Sequence, residues 1–581
     1  MKAILREYLA SLRERDELDA ILPDLLSEMG LTVFSRPGRG TRQDGVDVAA
    51  VGNLPDTEQC VYLFAIKPGD LTRTGWDGDS VQSVRPTLNE ILDSYLPNRM
   101  PAEHADKPVV VCICCGGDIQ EQVRQQIEGF KRKNTRPGLS FEEWNGDRLA
   151  ELLKQHLLNE ELLPDASRAH LRKTLALLEE PEAAYAHFAK LLDALGNGDT
   201  GDPRGALKGL RQMTLCSWIL LAWARDVGNV EAAYQGLELA LLKGWCLTKQ
   251  SANASTKNAE AISMTYGALI NAYLEVAKLY LERCVMPFVG DLHALSLAIR
   301  GPSSIDVGLK LFEVLGRLAM TGLWAEWGAA NAVQDEEKQQ AHLDERDSVA
   351  KAIVAIIAKN PALNLPVKDD HAIEITLALL VLAPIEGAGG AIEDWLAEII
   401  ERCRFAYDSH GAYPCSVQRY SDLLDRDRSE AYRSRVTSGS ILYPTVSLWS
   451  ALLGLDGVYA KVADFKKSSL SHCTLQLWLP DEKSEELLWH QRMEHGVGIA
   501  RLPVEREKQE LVDLVFEEAS RSSHLKQLSA MQHGMWPLIL VACRHHRVPV
   551  PVEFLERFRK TEADRANTPE SNSQKNATKE A

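Results

Sequence analysis

The chain has 581 residues, 45% of them hydrophobic and 25% charged, and a net charge of −17. That length exceeds a single hydrophobic core, which stops growing near roughly 250–300 residues, so two or more domains are expected. The acidic balance excludes a protein that coats nucleic acid through an overall basic face, and it confines nucleic-acid contact to local patches.

Eleven cysteines without regular spacing argue against a disulfide framework and fit the reduced thiols of a cytosol. The opening MKAILREYLASLRERDEL carries charges throughout, unlike a signal peptide. The longest apolar runs, such as Leu377–Ala383, fall short of the ~20 residues of a membrane span. A soluble cytoplasmic protein, with no membrane partner, is the expectation.

Residues 2–29 read as one or two helices, with Leu18, Ile21, Leu22, Leu25, Leu26 and Met29 at helical spacing and Gly30 as the stop. Strands are predicted at Thr32–Ser35, Gly45–Val51 and Cys60–Lys67, the last two apolar enough for central positions. A helix follows over 84–96. Pro108–Cys115 reads as a fully buried strand, broken by Gly116-Gly117. Asp118 and Glu121 then resemble a capping box for a helix reaching about Lys133. Leu139–Trp144 is a last strand, and Asn145-Gly146-Asp147 turns into a further helix. The predicted order is α-β-β-β-α-β-α-β-α, an α/β sandwich.

Beyond about residue 155 helical signals dominate. Asp202-Pro203 is an N-cap followed by Pro at the first helical position. Leu269, Tyr273, Val276 and Tyr280 share one helix face, opposite Asn271, Glu275, Lys278 and Glu282. Val307–Trp324 is apolar nearly all round and predicts a buried helix. The expected layout is therefore an α/β domain over 1–155, a large all-α, solenoid-like region over 156–560, and a disordered tail over 561–581. No fixed repeat period is present.

The chemistry-bearing stretch is Glu17 to Lys67. A helix carrying Glu17, Asp19 and Glu28 leads to the Arg-rich SRPGRGTRQDG, then Gly45-Val46-Asp47, and a strand ending Ala65-Ile66-Lys67. This resembles the PD-(D/E)XK superfamily, restriction-endonuclease-like and closest to its Mrr-type branch, over about residues 15–150. The resemblance implies Asp47 as principal metal ligand, Glu17 (or Asp19) as a second, and Lys67 as the cation beside the attacking water. It implies Mg²⁺ or Mn²⁺, which would stabilise the scissile phosphate and activate water. One position departs from the family pattern: Ala65 stands where an acidic residue or Gln is found, leaving the Ile66 carbonyl, Asp70 or Glu17 to compensate.

Arg36, Arg39 and Arg42, with Lys131, Arg132, Lys133 and Arg136, are candidate phosphate contacts, set against ordinary solvated charge. Cys112, Cys114 and Cys115 read as strand core. Cys543, His545 and His546 lack zinc-site spacing. His490 and His495 read as surface residues. Gly387–Ala391 lacks the Lys-Ser/Thr of a P-loop and reads as a helix–helix turn. The tryptophans at 218, 223, 245, 324 and 327 read as core. The leading expectation is a nuclease effector of a bacterial restriction or phage-defence system, acting on DNA and regulated or oligomerised through its helical region. The rival is a catalytically inactive nuclease-fold scaffold or nucleic-acid sensor in a multi-protein assembly.

Overall fold

The computed structural model describes residues 5–6, 9–10, 18–35, 44–54, 58–78, 83–156, 165–196, 203–250, 256–424, 426–427, 429–490 and 496–559. Glu17, Arg36, Arg39, Arg42, His495 and the predicted tail lie outside these residues. The chain forms two compact units, Met1–Val276 and Ala277–Ala581.

The first unit opens with α1 (Asp19–Glu28), stopped at Gly30, whose φ of +87° is the left-handed backbone that glycine adopts without penalty. A five-stranded mixed sheet follows in the order β1 (Thr32–Ser35), β2 (Val48–Gly52), β3 (Cys60–Lys67), β4 (Val109–Cys115), β5 (Leu139–Trp144). β1–β2 and β2–β3 are antiparallel, whereas β3–β4 and β4–β5 are parallel. The parallel joins need crossovers, supplied by α2 (Val84–Glu90, continued through Tyr95) and α3 (Glu121–Asn134).

Both faces of the sheet are covered, which is why β3 and β4 read as continuous apolar runs. On one face Ala49, Val61, Leu63, Ala65, Val111 and Ile113 pack with Trp76, Leu88, Ile91, Val123 and Ile127. The other face presents Phe64 edge-on to Trp144, with α1 packed against β2 and α4 (Gly146–His156) against β5.

β2 begins later than the sequence predicts. Asp44 and Gly45 take positive φ (47° and 84°) and form a turn ahead of the strand. A side chain at Gly45 would meet the Thr87 carbonyl of α2 at 2.4 Å, so only glycine admits this close approach. Asp44 is buried and ion-paired to Arg99 at 2.9 Å.

The first unit continues into helices: α5 (Asp165–Ala176), α6 (Pro181–Gly196), α7 (Pro203–Val227), α8 (Glu231–Thr248) and α9 (Lys257–Tyr280), which crosses the unit boundary. α5 packs on α6, and α6 on α8. Buried Arg211 of α7 reaches back to α1, 2.7 Å from Glu28 and 3.4 Å from Asp24. The amphipathic reading of α9 is matched: Leu269, Tyr273, Val276 and Tyr280 are buried, while Asn271 and Lys278 are exposed.

The second unit is largely helical. Its centre is α10 (Ser304–Asn331), started by a Ser303–Asp306 capping box and packed on α11 (Glu336–Lys359) and α12 (Ala372–Leu382). The Gly387–Ala391 segment turns α12 into α13 (Gly389–Asp408), with Gly387 at φ +82°. The expectation of an all-α region is corrected here. A three-stranded sheet joins β6 (Gly439–Ser440), β7 (Thr474–Leu479) and β8 (Val497–Ala500). β7 alternates, burying Leu475, Leu477 and Leu479, the period of a half-covered strand. Of the five tryptophans read as core, 218, 245 and 324 are buried, while Trp223 and Trp327 are half-buried. No described helix is long and apolar enough to cross a membrane.

Candidate functional site

The sheet edge at which β3, β4 and β5 end, and β2 begins, gathers the residues singled out from the sequence. Val48 lies opposite Phe64 in the β2–β3 register, so Asp47 comes just before the first regular rung. Its N–H donates to the Phe64 carbonyl at 2.9 Å, and its Oδ2 accepts the Ile66 N–H at 2.7 Å. Ile66 is fully buried, so this carboxylate satisfies a backbone donor that water does not reach. Lys67, half-buried, is the last residue of β3 and stands beside Cys115 of β4. Alternation along β3 puts Lys67 on the same face as Leu63 and Ala65.

The regular β2–β3 pairing begins only at Val48 and Phe64, and Asp47, whose N–H also reaches the Phe64 carbonyl, lies outside it. Ala65 has no exposed surface and belongs to the apolar cluster beneath α2 and α3. The residue two before Lys67 is thus a methyl group in a hydrophobic core. Asp70, weighed as a compensating ligand, is engaged otherwise: its Oδ1 accepts the Asp118 N–H at 2.8 Å and fixes the loop after β4. Asp19 opens α1.

Three parallel strands each run into a Gly-Asp pair: Gly69-Asp70, Gly117-Asp118 and Gly146-Asp147. The glycines let the three loops stack backbone to backbone. Gly117 N–H donates to the Gly69 carbonyl, and Gly146 N–H to the Gly117 carbonyl, both at 2.8 Å. A side chain at Gly117 would fall 2.2 Å from Asp70 Oδ1, and one at Gly146 2.2 Å from the Gly116 carbonyl. Arg6 bridges this edge, 2.8 Å from Asp118 and 3.6 Å from Asp147. The sequence reading missed Arg6 and the role of Asp118 and Asp147, although the threefold Gly-Asp repetition after predicted strands was a visible signal.

Burial, and then the negative charges of Asp70, Asp118 and Glu143, push the Cys115 thiol up to about 12. Burial likewise raises Cys112 and Cys114 well above the ordinary thiol range. All three are protonated core side chains at neutral pH, inert as nucleophiles or thiolate ligands.

Among the described residues, the basic candidates Lys131, Arg132, Lys133 and Arg136 do not converge on Lys67. Lys131 is tied to Glu128 and Glu143, each at 2.9 Å, which leaves it poorly placed for a phosphate. Arg132 and Lys133 are exposed on the last turn of α3. α3 starts at the strand-end edge, and about 1.5 Å of rise per residue carries that turn roughly 16 Å away. Arg136 lies in the turn leading into β5, at the edge where β4 and β5 start.

At the strand-end edge the described candidates for a hard-cation site come down to one carboxylate. Asp47 is one carboxylate with an oxygen already held by Ile66 N–H, and Ala65 offers no donor. Among the described residues no three His, Cys, Asp or Glu side chains gather as a ligand set. Comparison with protein families, with characterised proteins and with solved structures gives no match.

Proposed function

We propose that residues 18–156 are a restriction-endonuclease-like domain that does not cleave and serves as a scaffold within a multi-protein assembly, with the helical region providing protein–protein or self-association. The observation that carries this reading is Ala65, two residues before Lys67, a fully buried methyl in the apolar cluster. The Asp47 carboxylate, in turn, has a structural task in holding Ile66 N–H. The net charge of −17 and the pairing of Lys131 with two glutamates also favour a protein partner over a nucleic-acid backbone.

A second reading is an Mg²⁺- or Mn²⁺-dependent DNA endonuclease of a bacterial restriction or phage-defence system. It is favoured by Asp47, just ahead of β2, and Lys67, the last residue of the neighbouring β3, lying at one end of the sheet. Affinity capture with the full chain as bait, repeated with Asp47→Asn and Lys67→Ala, separates the two. The scaffold reading expects a defined protein complex that survives both substitutions and is unaffected by nuclease treatment. Recovery of nucleic acid alone, lost with either substitution, would replace it by the second reading.

A further inference from the structure

The α5–α6 hairpin carries an arrangement unconnected with the strand-end edge. His170 of α5 and His187 of α6 point their Nδ1 atoms at each other across 3.1 Å. Their ring centroids are 5.4 Å apart, with planes inclined by 33°. Both residues are half-buried, so one side of the pair is open to solvent. Two nitrogens in this relation have two chemical uses. Either one imidazole donates its Nδ1 hydrogen to the other's lone pair, or both lone pairs converge on a cation lying to one side of the line between the nitrogens.

The spacing suits the second use. Imidazole nitrogens bind Zn²⁺ at ~2.0–2.1 Å, so two on one ion stand roughly 2.9–3.4 Å apart for bond angles between a right angle and the tetrahedral value. The observed 3.1 Å falls inside that interval without movement of either helix. The two ligands also come from helices already packed on each other, so holding them together requires no new ordering of backbone.

We propose that His170 and His187 form a two-imidazole site for a borderline transition-metal ion, Zn²⁺, Ni²⁺ or Cu²⁺, whose remaining positions are filled by water. Imidazole pairs suit these ions, with Cu²⁺ strongest in the usual order, and do not suit Mg²⁺ or Ca²⁺, which take hard oxygen ligands. Burial, then the neighbouring charge of His187, Lys190 and Lys173, holds His170 below its ordinary pKa, so its lone pair is available at neutral pH. The same two lysines weaken attraction for a dication and place the affinity below that of a closed structural zinc site.

The test is metal uptake by the chelator-stripped full chain at pH 7.5, measured by equilibrium dialysis against Zn²⁺. The wild type should hold one equivalent more than His170→Gln or His187→Gln, and the double variant should lose no more than either single one. Excess Mg²⁺ should not compete, and the extra equivalent should be lost on acidification, as protons compete with the metal for the imidazole nitrogens. Equal stoichiometry in wild type and both variants overturns the proposal, since any uptake then belongs to other groups such as His545, His546 or cysteines. A loss confined to one variant overturns it too, because a single imidazole would then be the ligand. Zn²⁺ protection of both rings from diethylpyrocarbonate in the unaltered chain supplies a check that needs no variant to fold. Both rings reacting at the metal-free rate would also overturn it.

Discussion

Asp47→Ala is the substitution whose effect follows most directly from the site geometry. Asp47 Oδ2 accepts the Ile66 N–H at 2.7 Å, and Ile66 has no exposed surface. Alanine leaves that donor unpaired where the first regular β2–β3 rung begins, and a buried unsatisfied donor costs about 1–3 kcal/mol. At about 2–4 °C per kcal/mol for a unit of this size, a loss near 2 kcal/mol lowers the melting temperature by about 4–8 °C. Asp47→Asn keeps an acceptor oxygen of the same shape and loses only the charge assistance, so it should retain about half of that stability. Calorimetry on wild type, Asp47→Asn and Asp47→Ala measures the order, and hydrogen exchange at the Ile66 amide localises it. Equal melting temperatures for all three, with unchanged Ile66 protection, would refute the structural role of this carboxylate.

Other outcomes follow from the same geometry. Ala65→Glu buries a carboxylate in the apolar cluster and should destabilise by several kcal/mol, more than Asp47→Ala does, in a chemical-denaturation comparison; a stable variant would show that the position opens to solvent. Arg211→Ala strands Asp24 and Glu28, which retain 16% and 20% side-chain exposure. Its cost in urea unfolding should therefore lie toward the lower end of the ~3–5 kcal/mol typical when one partner of a buried pair is removed. Both Glu553 carboxylate oxygens are buried without hydrogen-bond partners, and burial raises this acid to about 7. Its folded value exceeds its unfolded one, so its penalty is absent below pH 4.5 and grows as the pH rises toward 7, by at most about 1.4 kcal/mol per unit. Glu553→Leu should accordingly stabilise the chain more at pH 8 than at pH 5 in thermal melts, and a pH-independent gain would contradict the titration.

Local patterns made much of the first unit legible. CVYLFAIK and PVVVCICC are apolar without alternation because helices cover both sheet faces, and Gly30 and Gly116-Gly117 mark real chain breaks. What the sequence hid depends on distance along the chain. Arg211 meets Glu28 across 183 residues, and no local pattern announces that contact. Gly45-Val46-Asp47 reads as strand, yet the positive φ of Asp44 and Gly45 delays β2 until Val48. The small sheet of the second unit escaped notice because β7 is short and lies among helices, although Thr474–Leu479 alternates regularly. At the candidate site, Asp47, Lys67 and the departure at Ala65 were readable one by one. The burial of Ala65 and the engagement of Asp47 with Ile66 were not, since both arise from register and packing.

The central claim is that this domain keeps a nuclease-like fold without cleavage. Its most direct test incubates the full chain with supercoiled plasmid, single-stranded DNA and RNA in Mg²⁺ and in Mn²⁺, beside Asp47→Asn and Lys67→Ala prepared identically. The account predicts intact nucleic acid in every lane, or trace degradation equal in wild type and variants. Metal-dependent cleavage by the wild type that is lost in Asp47→Asn, while the variant keeps its fold by circular dichroism, would contradict it.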